Sequence, residues 1–135
     1  VGNNTVTNFY PGDGVRSVKH SEQGEHTNDT GGALTVYRLT ILGRITATGL
    51  YKQYASGAVD GSQIPVAVSL NEVVHAADGD LPCGVMLQGE VNEGDLIIHG
   101  SAAGVGITDA IKDALRTYGI MVVPRTETGA LDNQT

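Results

Sequence analysis

Residues 41–70, ILGRITATGLYKQYASGAVDGSQIPVAVSL, constrain this chain most. Two short β-prone runs, 41–47 and 64–70, are separated by the turn formers Thr48-Gly49, Ser56-Gly57 and Asp60-Gly61. In the first run Ile41, Gly43, Ile45 and Ala47 alternate with Leu42, Arg44, Thr46 and Thr48, which is the period of a half-buried strand. Thr48-Gly49 can turn the chain with positive φ, so Tyr51 and Tyr54 begin a return strand. The pattern predicts a β meander, not a catalytic loop.

Residues 1–32 differ in composition from the rest of the chain. They are rich in Gly, Asn, Asp, Thr and Ser, and their scattered apolar residues cannot bury enough surface to fold alone. They are expected to form an extended N-terminal arm ending in a Gly31-Gly32 hinge. Within it Thr5, Val6, Thr7, Asn8, Phe9 and Tyr10 make a brief β-prone segment, stopped by Pro11-Gly12. Such a segment either stays disordered, the usual outcome for an isolated N-terminus, or adds a strand to a partner's sheet.

Residues 33–124 are expected to form one domain, with further strands over 34–37, 82–87, 96–99 and 120–123. One helix is predicted over about 109–118. Thr108 is its N-cap, Asp109 suits the positive end of its dipole, and Gly119 is a C′ residue. Ile107, Ile111, Ala114, Leu115 and Tyr118 share its apolar face, while Lys112, Asp113 and Arg116 are expected to face water. Residues 125–135 form a polar tail. The fold class is therefore mainly β, a β-rich α+β domain built as a compact sheet or barrel with one C-terminal helix. A chain of 135 residues with one Phe, no Trp and nineteen Gly must build its core from Val, Ile, Leu and Ala, with five Tyr as its main rings.

A formal charge of −7 gives no electrostatic reason to bind nucleic acid directly, because phosphate binding relies on Lys and Arg. No apolar run approaches a membrane span. A single Cys83 cannot form an internal disulfide, which fits a reducing cytosol, and in a strand it reads as a small core residue. His20, His26, His75 and His99 do not combine with Cys83 at a zinc spacing, and Asp78-Gly79-Asp80 lacks the later ligands of a calcium loop. Gly100-Ser101-Ala102-Ala103-Gly104 has its serine misplaced for a nucleophile elbow, and Gly104-Val105-Gly106 lacks the order and the Lys of a phosphate loop. The sequons at Asn3, Asn28 and Asn133 are chance matches in a cytosolic product. No acid, base and nucleophile converge, so neither an enzyme nor a cofactor is expected.

The ordered blocks LGRITATGLYKQY, AVDGSQIPVAVSLNEV, ADGDLPCGVMLQGEVN and AIKDALRTYGIMVV resemble the head decoration proteins of tailed bacteriophages, the family of the phage lambda D protein. The resemblance covers roughly residues 35–124. It implies a non-enzymatic virion protein, assembled in the host cytoplasm, that binds as a homotrimer to the outside of an expanded capsid and stabilises it against DNA pressure. Its partner is then the major capsid protein. By the same resemblance the arm contacts the coat, which puts Thr5, Val6, Thr7, Asn8, Phe9 and Tyr10 forward as capsid-binding residues. Tyr51, Tyr54, Ala58 and Val59 are candidates for the trimer interface. The alternative from another class is an acidic trimeric β-module binding carbohydrate or a cell surface, with Tyr51 and Tyr54 as its aromatic platform. A trimeric nucleotide hydrolase would need an Asp-containing Gly-rich strand motif that is absent.

Overall fold

The computed structural model describes residues 14–124. Its elements are β1 (Val15–Asn28), β2 (Leu34–Val36), β3 (Ile41–Arg44), β4 (Tyr51–Gln53), β5 (Ala67–Ser69), β6 (Val73–His75), β7 (Gly79–Asn92), α1 (Asp109–Thr117) and β8 (Ile120–Val123). The main sheet runs β1-β4-β3-β5-β7-β8, and a further β1–β7 pairing closes the first five of these strands into a ring. β8 lies outside the ring, parallel to β7, and β2 and β6 form a separate two-stranded sheet.

The meander forms as its residues dictate. β3 and β4 pair antiparallel from Leu42↔Gln53 to Arg44↔Tyr51, across a turn in which Gly49 takes φ +78°. Alternation along the strands then fills two separate cores. Ile41, Val68 and Met86 join a cluster with Val15, Leu96, Ile111, Leu115 and Ile120. Their neighbours Leu42, Ala67 and Val85 join a second one with Leu34, Val36, Tyr51, Val73 and Cys83. Both faces of the sheet are thus covered, one by α1 and the other by the β2–β6 sheet, although neither core holds Trp or Phe.

The helix obeys its local signals. The Thr108 hydroxyl accepts from Ile111 N–H at 3.3 Å, and Gly119 follows Thr117 and Tyr118 with φ +109°, which a residue with a Cβ rarely adopts. Ile111 and Leu115 are buried, whereas Tyr118 is half exposed because it lies beyond the last turn. Lys112 does not simply face water. It reaches Glu93 at 3.1 Å and Asp109 at 3.3 Å, tying the helix to the short 3₁₀ turn at Glu93–Asp95.

Three elements differ from the sequence reading, one of them β7, which runs over Gly79–Asn92 where the sequence predicts only 82–87. Residues 15–28, counted there in the arm, are a strand of the main sheet, paired with β7 from Val15↔Val91 to Asn28↔Gly79. This strand buries only Val15, His26 and Asn28, so its apolar pattern is faint and its place comes from backbone pairing with a distant strand. Residues 96–99 form a single parallel bridge, Thr40↔Ile97, instead of a strand. The Leu96 and Ile98 carbonyls accept from Gly104 and Ser101 N–H, which curls the chain away after one pairing.

Candidate binding surface

Thr5, Val6, Thr7, Asn8, Phe9 and Tyr10 lie outside the described residues. What the structure fixes is where that segment leaves the body. The Gly14 carbonyl accepts from Asn92 N–H at 2.9 Å, and Val15 and Val122 lie on either side of Val91. The chain therefore enters the sheet at the end where β1, β7 and β8 lie side by side.

The other candidates divide. Tyr51 is buried, 4% exposed, with its ring over β1 and the Arg44 guanidinium 5.9 Å from its centroid. Its hydroxyl donates to Glu22 Oε2 at 2.7 Å, and burial, helped by this carboxylate, pushes its pKa up to about 12. It is a structural residue of the second core. Tyr54 is half buried and lines an open groove of about 320 Å³ with Ile64, Pro65, Ala110 and Ala114. Ala58 is half buried, and Val59 stands 94% exposed on the adjoining loop. Tyr51 and Tyr54 thus form no paired aromatic platform, which removes the feature that the carbohydrate-binding alternative required.

That loop is held firmly. Lys52 reaches Asp29 at 3.0 Å and Asp60 at 3.5 Å. Burial works against the Lys52 charge, yet the two carboxylates raise its pKa. Asp60 also accepts from the Ser62 hydroxyl and Ser62 N–H, which hold its pKa down at about 2. Val59 is therefore an apolar side chain presented on a braced loop.

Sequence reasoning missed several exposed apolar positions. Ile64 and Tyr118 flank grooves beside α1, and Met121 is exposed on β8. Ala110, Ala114 and Tyr118 recur at four-residue intervals along one side of the helix, a stripe that the sequence does contain. Reading Ala114 and Tyr118 as core concealed its open side.

The chemistry available to this surface is that of binding. Cys83 is fully buried, and burial raises its thiol to about 11, which makes it a poor nucleophile. Among the described residues no three His, Cys, Asp or Glu side chains gather as metal ligands. No helix among them is long and apolar enough to cross a membrane.

The family model described as bacteriophage lambda head decoration protein D matches residues 16–120. That span begins in β1 and ends at the first residue of β8, so it takes in nearly the whole folded body, β1 included. No curated protein matches the chain. The chain belongs to the head decoration protein family, structural proteins of the phage capsid and part of the virion, which is not an enzyme family.

Proposed function

From that membership we propose that this protein is a capsid cement: a homotrimer on the outside of an expanded phage head that bridges neighbouring copies of the major capsid protein and stabilises the shell against DNA pressure. The observation that carries the reading is the match over residues 16–120, which coincides with the closed β body. A rigid body suits the task, since a clamp that deforms transmits no load. Both faces of its sheet are packed and its loops are braced, as at Lys52.

Capsid attachment falls to the residues ahead of Gly14. Thr5 to Tyr10 supply an extended segment in which Phe9 and Tyr10 are apolar anchors and the backbone of Val6 to Asn8 adds a strand to the coat. Three arms on one trimer strengthen modest single contacts by avidity, on the order of a hundredfold when all engage. Trimer contacts are best drawn from Tyr54, Ala58 and Val59 together with Ile64, while Tyr51, buried in the second core, is set aside. Small domains with thin cores gain stability by burying such residues against a copy of themselves. An acidic chain needs no nucleic acid partner for any of this.

The test is binding to undecorated expanded capsids, comparing the full chain with a version lacking residues 1–10 and recording the mass of each in solution. Retained trimer mass with lost binding supports both assignments. Failure of the full chain to bind capsids defeats the cement reading. Monomeric mass with intact binding defeats only the trimer.

A further inference from the structure

His26 and His75 meet where β1, β4 and the β2–β6 sheet join, and the capsid-binding role uses neither. They are 0% and 2% exposed. His26 Nδ1 lies 3.0 Å from His75 Nε2, its Nε2 lies 3.0 Å from Gln53 Oε1, and the two rings stand 5.1 Å apart. Gln53 Oε1 can only accept, so His26 carries its hydrogen on Nε2. Its Nδ1 is then bare and must accept the His75 Nε2–H. The neutral pair is complete with one hydrogen in each short contact.

Another proton does not fit this arrangement. Placed on His26 Nδ1, it sets two N–H groups head to head across 3.0 Å. Accommodated by moving the His75 hydrogen to its other ring nitrogen, it keeps the contact but sets a positive charge between two buried rings. The charged surroundings offer no relief. β4 contributes Lys52, already engaged with Asp29 and Asp60; β6 contributes His75 itself; and the segment after the 3₁₀ turn contributes His99. β7 sets the uncharged Leu81 opposite His26. Burial above all, then His75, hold the His26 pKa down at about 4.

We propose that the His26–His75 pair is an acid-sensitive latch, which holds the β2–β6 sheet on the barrel when neutral and releases it when the pair takes up a proton. The sheet has few other polar ties. Asn28 Nδ2 donates to the Gly32 and Ala77 carbonyls at 2.7 and 3.1 Å, and Gly31 N–H donates to Asp78 at 2.8 Å, all at the connections beyond the strands. The Ser69 hydroxyl of β5 donates to the Tyr37 carbonyl just after β2 at 3.0 Å, Gly84 N–H of β7 donates to Asn71 Oδ1 just ahead of β6 at 2.6 Å, and Leu34, Val36 and Val73 pack in the second core. Opening is therefore local, because the first core, with α1 and β8, contains no part of this sheet.

The experiment is amide hydrogen exchange on the full chain between about pH 6.5 and about pH 4, corrected for intrinsic exchange, with the His26 and His75 ring signals followed by NMR over the same range. The expected result is at least a ~10-fold loss of protection in β2 and β6 that sets in below about pH 6.5, with β8 and the core of α1 staying better protected than β2 and β6 throughout. His26→Gln, which keeps a neutral amide at the site, should abolish the pH dependence. The latch is overturned if β2 and β6 open only in the same event as β8, at equal free energy, or if their protection stays constant between about pH 6.5 and the pH at which the His26 ring titrates. Persistence of the acid response in a folded His26→Gln variant also overturns it. Should that variant not fold, the wild-type comparison of exchange with ring titration decides alone.

Discussion

At Gly43 the space for a side chain is set by backbone, which cannot move aside. A Cβ there would stand 2.5 Å from Ser62 Cα and 2.6 Å from its carbonyl oxygen. In an ordinary strand, Gly→Ala removes entropy from the unfolded chain and is favourable. Here overpacking should win, and Gly43→Ala should cost about 2 to 4 kcal/mol, read as a lower urea midpoint at unchanged slope. An unchanged midpoint would mean that the 60–64 loop is free to lift off β3. At His26 the relevant quantity is charge. Its folded pKa of about 4 lies below the ordinary 6.5, so as pH falls the unfolded chain takes the proton first. The stability held by neutral His26 is therefore complete above about pH 6.5 and is lost as pH falls towards 4. The loss should be about 2 to 3 kcal/mol, measured as the difference between wild type and His26→Gln in unfolding free energy across that range.

The helix was legible in the sequence and β1, one of the two longest strands, was not, and the reason is the distance over which each is specified. Every signal for α1 lies within a few residues: the Thr108 cap, the Ile111 and Leu115 pair, and Gly119. Those signals should retain their separate weights. Thr108→Ala should lower stability by about 1 kcal/mol, or about 3 to 6 °C in Tm. Leu115→Ala, at a fully buried position in the first core, should cost about 2 to 5 kcal/mol. If the two losses come out equal, the helix is held by its own ends more than by its packing. β1 has no such local signature. Its polar run RSVKHSEQGEHTN takes shape only beside β7, with register shifts near Ser17 and His20 that no period-two reading accommodates. The candidate surface was read less well for a related reason. Tyr51 and Tyr54 look alike in sequence, and only the crossing of β1 over one of them decides which is buried.

For the whole molecule, β1 decides whether the sheet is closed. It pairs with β7 along nearly its full length and meets β4 in parallel at His26↔Tyr51, so that without it the ring opens between β7 and β4. The same strand also covers the Tyr51 ring, whose edge lies within contact of Gly24, and supplies His26 to the second core's rim. These dependencies separate two truncations that a reading of residues 1–32 as an arm treats alike. Deleting residues 1–13 takes away none of the strands of the described body and should leave Tm within about 2 °C of the full chain. Deleting residues 1–28 removes a whole barrel strand and bares the β7 edge, so the product should lose cooperative thermal unfolding and aggregate through that edge. Scanning calorimetry with light scattering on both products distinguishes the cases. If the shorter chain still melts cooperatively, β1 is an accessory ribbon, the body begins near Leu34, and the first 32 residues act as one detachable arm. If it does not, β1 belongs to the body, and the proposed capsid-binding segment is confined to the residues before Gly14, which join the body at the end of the sheet where β1, β7 and β8 lie together.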